Sequence, residues 1–226
     1  MLKTNVDIAA NEDNFEDGRP EEENATIPAS EVRKFKLTGV LIGGQYKQLG
    51  WNYLSSGDGD NGANKDFVIY DNKIVDQDIL NTSDHTPLPN YTLVFDNYAG
   101  NTQSDVLVAL EFKNSSEKDI YGIGGMIPKG GTFYLVGKLE IGSKAIDSWP
   151  NTYAIPPYNN NGESQEVPRV FVQDFMTTAT FKIGKESLKK AYTTVPDLRS
   201  SQTSLGLSVD LNWRTGINFD NVVLGQ

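Results

Sequence analysis

The stretch PRVFVQDFMTTATFKIGKESLKKAYTTVPDLRSSQTSLGLSVDLNWRTGINFDNVVLGQ, residues 168–226, sets the fold class. From Ser204 to Trp213, apolar Leu205, Leu207, Val209, Leu211 and Trp213 alternate with Ser204, Gly206, Ser208, Asp210 and Asn212, which is the two-residue period of a half-buried β-strand. A second apolar run, Phe219 to Leu224 with Val222 inside it, follows the short turn Arg214-Thr215-Gly216, so a β-hairpin is predicted here. Such a hairpin either closes its own sheet or completes the sheet of another molecule. Phe219, Val222 and Leu224 join the five alternating residues as a candidate subunit-interface strand.

Working outward, Val170 to Ile183 predicts one long strand, or two joined by a bulge. Between Gly184 and Pro196 only Lys185 to Tyr192 has helical spacing, with Leu188 and Tyr192 one turn apart. Further strands are predicted in FVIY, YTLVFDN, DVLVALEF and TFYLVGKLE, and in KFKLTGVLI and QYKQLGW, which flank Gly43-Gly44 as a hairpin. No segment is long enough for a βαβ crossover. The expected fold is all-β: an antiparallel β-sandwich of transthyretin-like or Greek-key type, with one short helix.

Residues 1–32 read differently from residues 33–226. Glu12 to Asn24 is acidic and nearly without apolar residues, a composition that cannot offset its own ordering entropy. It is read as an acidic linker or a remnant of a preceding domain, packing at most through Val6 and Ile8.

With 30 acidic against 20 basic residues in 226, the formal charge is -10. Nucleic acid is thereby disfavoured as a partner, because phosphate binding needs clustered Lys and Arg. The absence of cysteine removes disulfides, thiolate chemistry and Cys-based metal sites. No run approaches the ~18 apolar residues of a membrane span, and no segment reads as a signal peptide.

The motifs that could carry chemistry are weak. Asp58, Asp60, Asn64 and Asp66 offer oxygen ligands, but the glycine falls one position early for an EF-hand loop and no glutamate closes it, so no metal is expected. His85, the single histidine, lies in the turn-like stretch Thr-Ser-Asp-His-Thr-Pro with no nucleophile elbow nearby. Gly122, Gly124 and Gly125 lack dinucleotide spacing and read as turn residues. Sequons stand at Asn24, Asn81, Asn90 and Asn114. Trp51, Trp149 and Trp213 could form a sugar-binding platform, although packing is the commoner use of such residues. No catalytic residue and no cofactor is expected.

The segments KFKLTGVLIGGQYKQLGW, YTLVFDN, DVLVALEF, GMIPKGGTFYLVGKLE, RVFVQDFMTTATFKI, SLKKAYTTVPDLRS and LGLSVDLNW resemble, in order, the C-terminal domain of the fimbrillins, the type V pilins of Bacteroidales, in their Mfa-like branch. The resemblance implies a structural or adhesive subunit of a cell-surface fimbrium that is not an enzyme. It further implies export as an outer-membrane lipoprotein, other pilin subunits and surface ligands as partners, and assembly by donation of a β-strand into a groove left by a removed strand. The chain departs from that pattern in having no lipobox cysteine. Arg19, followed by Pro20, does not match a maturation site. A surface carbohydrate-binding module is the alternative expectation.

Overall fold

The computed structural model describes residues 2–9, 11–20, 26–45, 67–72, 77–78, 91–92, 106–139, 171, 175–199 and 203–215. The strands are β1 (Leu2–Ile8), β2 (Asn14–Glu16), β3 (Thr26–Pro28), β4 (Lys36–Gln45), β5 (Phe67–Asp71), β6 (Gln77–Asp78) and β7 (Tyr91–Thr92). They continue with β8 (Val106–Lys113), β9 (Ile120–Gly122), β10 (Gly125–Ile127), β11 (Thr132–Leu139), β12 (Phe175–Ile183) and β13 (Leu207–Thr215). One short helix, α1 (Ala29–Val32), and a single 3-10 turn, Ser187–Lys190, complete the described elements.

Nine strands form one mostly antiparallel sheet in the order β5-β4-β8-β11-β13-β12-β1-β7, with β6 also on β4, while β9–β10 and β2–β3 form two small ladders. Two joints in the large sheet are parallel, β1 with β12 and β11 with β13, and this corrects the purely antiparallel expectation. Tight turns enforce antiparallel pairing only between chain neighbours. Neither parallel pair joins strands that are neighbours in sequence, so no tight turn forces it to run antiparallel.

One apolar cluster runs through the whole sheet. It takes Leu2, Val6 and Ile8 from β1, Leu37, Val40 and Ile42 from β4, Val106, Val108, Leu110 and Phe112 from β8, and Phe181 and Ile183 from β12. Phe133 sits edge-on to Phe35 at 5.1 Å and stacks on Phe112 at 5.3 Å, geometries that aromatic pairs favour. A second cluster, Leu41, Ala109, Tyr134, Val136 and Leu198, lies apart from the first. The strands β4, β8 and β11 therefore bury side chains of both parities, which explains the nearly continuous apolar run VLVALEF.

The segment after β12 is less helical than its spacing suggests. Only the 3-10 turn forms, because Ala191 is extended (ψ 130°) and carries Tyr192 into a two-way backbone pairing with Tyr134, both bonds 2.9 Å. Ile123 also accepts and donates across this segment, its N–H reaching the Ala191 carbonyl at 2.6 Å. Gly122 permits the approach, since a side chain there would run into the Ala191 carbonyl oxygen. The glycines read as turn residues do form a turn: Gly124 and Gly125 have φ of 102° and 126° in the β9–β10 hairpin. Gly43-Gly44, in contrast, is no hairpin tip. β4 runs through it with a register shift between Ile42 and Gln45.

The expectation that residues 1–32 pack at most through Val6 and Ile8 is corrected for the residues described. β1 is paired with β12 along its whole length, from Leu2 opposite Thr177 to Ile8 opposite Ile183, and Leu2, Phe15, Ile27 and Val32 join Val6 and Ile8 in the core. The acidic groups point outward to cations instead of opposing burial. Glu16 meets Lys189 at 2.6 Å and Lys185 at 3.1 Å, and the Lys189 contact leads in holding its carboxyl below the usual range. Glu31 meets Lys34 at 2.6 Å.

Asp7 and Asp17 are the exceptions among the described residues of this segment, both buried, and Asp17 ties two elements together. It accepts the Tyr121 N–H at 3.0 Å and the Arg19 Nε–H at 3.1 Å, while Arg19 lies over the Tyr121 ring and donates to the Asp119 carbonyl at 2.6 Å. Asp17→Ala strands the Tyr121 N–H and frees Arg19, a loss of about 2 kcal/mol. Limited digestion with a glutamate-specific protease is expected to spare Glu16 in the native chain and to cut there readily in the variant.

Candidate functional site

The sequence candidates for a subunit-interface strand divide into four groups. Leu207 is buried and Val209 packs against the same core. Leu211 and Trp213 continue β13 opposite Ala179 and Thr177 in register. Leu205 precedes the strand and is 36% exposed, so the alternation read from Ser204 starts three residues ahead of the strand itself. Phe219, Val222 and Leu224 lie outside the described residues, as do Trp51, Trp149, His85 and the Asp58 to Asp66 loop. β13 is internal to this chain's own sheet, between β11 and β12. The Gly206 N–H starts that lane by donating to the Val136 carbonyl at 2.9 Å.

The strand that stands out is β1, which sequence reasoning treated as incidental. Its inward residues, Leu2, Thr4, Val6 and Ile8, are buried. One edge follows β12 for seven residue pairs, and on the other, among the described residues, β7 pairs with Leu2 and Lys3. Its far end is held by the Ala9 N–H on the Ile183 carbonyl at 2.9 Å. The link to β2 then passes through exposed Asn11, a non-glycine residue at φ 68°, the left-handed conformation that Asn tolerates better than most residues.

A second built feature is polar. Glu111 of β8, buried and facing away from Leu110 and Phe112, accepts the Tyr70 hydroxyl at 2.6 Å, the Thr38 hydroxyl at 2.8 Å and the Tyr134 hydroxyl at 2.9 Å. A bulge delivers Thr38: Leu37 pairs with Phe112 and Gly39 with Glu111, leaving Thr38 as the extra residue. Gly39 makes room for the ring, since a Cβ there would stand 2.9 Å from Tyr70 Cε2. The cluster ties β4, β5, β8 and β11 together through one carboxylate. The hydrogen bond to that carboxylate, followed by partial burial, pushes the Tyr70 phenol up to about 12, and burial followed by the same carboxylate raises Tyr134.

This has a pH consequence. Both phenols are raised above the ordinary value of 10.0, so the stability they contribute is full below pH 10 and is lost as pH climbs toward the folded value of Tyr70, about 12. Thermal melts are expected to fall across that window, and more shallowly in Tyr70→Phe.

Among the described residues, no group of three or more Asp, Glu, His or Cys side chains is arranged to hold a metal ion, and no helix is long and apolar enough to cross a membrane. The sequon residue Asn114 is fully buried. Its amide donates to the Lys118 and Ile127 carbonyls at 2.9 and 3.1 Å and its oxygen accepts the Ser116 hydroxyl at 2.7 Å, so glycan attachment there is closed once the chain is folded. No family model, no curated protein and no solved structure matches the chain.

Proposed function

We propose that this chain is a structural or adhesive subunit of a bacterial surface fimbria, a type V pilus, assembling by β-strand donation between subunits. In this reading the domain is a β-sandwich of transthyretin-like or Greek-key type. The apolar cluster shared by β1 and β4, strands near opposite ends of one sheet, supports such curling. The subunit is exported, its precursor an outer-membrane lipoprotein, and it works at the cell surface with other pilin subunits and no cofactor.

The observation that carries the proposal is β1. Three large aliphatic side chains of this strand complete the core, worth about 5 to 9 kcal/mol gross, while its connection to β2 passes through exposed Asn11. Lifting it out would leave an apolar lane along β12 with unpaired backbone groups, the surface a partner's strand fills. Leu207 and Val209 serve this chain's own core, so the donated segment is sought in Phe219, Val222 and Leu224.

The test is a chain with a protease site built between Ala9 and Asp13. After cleavage, filaments are expected by electron microscopy, suppressed by excess free peptide spanning residues 2–9. Cleaved protein that stays monomeric refutes strand donation through this lane. A glycan array probes the carbohydrate-binding alternative, which reproducible binding lost on Trp149→Ala would favour.

A further inference from the structure

Asn5 Oδ1 is the one buried side-chain polar atom without a hydrogen-bond partner among the described residues. It sits at the middle of β1, opposite Thr180 of β12. Its neighbour on the same face is provided for, since Asp7 Oδ1 accepts the Ile8 N–H at 2.7 Å. Asn is also a poor strand former, and the β1–β12 joint is parallel, the slightly weaker kind of pairing. An unmet buried acceptor is a standing penalty. Here it falls on the outward face of the strand, across from inward residues that fit the core well.

We infer that Asn5 sets how readily β1 is replaced in its lane. The lane favours an incoming strand, from a second copy of this chain, that keeps aliphatic residues at the positions of Leu2, Val6 and Ile8. At the position of Asn5 it favours a β-branched residue that lacks the unmet carboxamide oxygen, such as Thr, whose hydroxyl can rotate to suit its surroundings. The inference rests on the strand-donation reading but makes a claim about the monomer alone. β1 is held strongly enough to fold the domain and weakly enough at its centre to be displaced.

The experiment uses the full chain and two labelled peptides with the sequence of residues 2–9, one native and one carrying Thr in place of Asn5, with uptake followed by fluorescence anisotropy. The Thr peptide is expected to enter roughly tenfold better than the native one, the ratio set by relieving one unmet buried acceptor. In the full chain, Asn5→Thr is expected to raise Tm by ~3 °C and to slow uptake of either peptide. Equal uptake of the two peptides, no uptake of either, or an unchanged or lower Tm in Asn5→Thr would overturn the inference. Peptide preference without filaments would uphold it and sink the fimbrial reading, whereas filaments with no peptide preference would do the reverse.

Discussion

Deleting residues 205–226 is expected to leave a chain that does not fold as a monomer. Two outcomes were open from the sequence alone: a donated hairpin would leave a folded subunit behind, and a hairpin belonging to its own core would not. β13 pairs with β12 over nine residue pairs, from Leu207 opposite Ile183 to Thr215 opposite Phe175, and touches β11 on its other edge. Without it the large sheet falls into two pieces, β5-β4-β8-β11 and β12-β1-β7. Leu207 leaves the core at the same time. Losing one buried Leu costs about 2 to 5 kcal/mol, and the severed ladder adds to it, against a typical domain stability of about 5 to 15 kcal/mol. Near-ultraviolet circular dichroism and size exclusion read the result. A compact truncated monomer with native aromatic signal would show that β13 is dispensable to this domain.

The second large effect is expected at Glu111. Replacing it by Ala removes the acceptor of three hydroxyls at once, and Tyr134, buried beside it, is left with a phenol that has no other hydrogen-bond partner among the described residues. Hydrogen bonds to a charged group are worth about 1.5 to 3 kcal/mol each, less for an exposed donor. Tyr70, 48% exposed, can turn to water, so the loss is expected near 3 kcal/mol, a fall in Tm of roughly 10 °C. Tyr134→Phe alone removes a single bond and costs less. Combined with Glu111→Ala it should add little, because the phenol no longer has an acceptor to lose. Additive losses in this double-mutant cycle would mean that the two side chains are not coupled.

The strands with the clearest patterns were legible. Thr132–Leu139 and Phe175–Ile183 fall inside runs whose apolar spacing announced them, Val106–Lys113 passes the end of its run at Lys113, and Leu207–Thr215 continues through Arg214 and Thr215, which read as turn residues. What escaped has physical reasons. β1 was hidden because Leu2-Lys3-Thr4-Asn5-Val6-Asp7-Ile8 puts a Thr on the inward side and charges on the outward side, and because its partner lies at the far end of the chain. Phe15, Ile27 and Val32 are so sparse among carboxylates that composition argued for solvent, yet one apolar residue per short element is enough when Lys185, Lys189 and Lys34 meet the acids. The helix spacing of Leu188 and Tyr192 was accidental, since Tyr192 is committed to Tyr134. The Glu111 cluster was invisible because a bulge and three separate strands assemble it.

The parallel joint of β1 and β12 also dictates an order of events. Thr177, the register partner of Leu2, lies far along the chain from it, so the whole stretch between them must be made before this ladder can close. Pairings of such long range are slow, because the loop entropy is surrendered before any contact compensates it. Until then β1 is an unpaired apolar strand, and so is the lane that awaits it, a combination that invites pairing between molecules. Refolding from denaturant is accordingly a race between closure within one chain and capture by another, and its yield should fall as protein concentration rises.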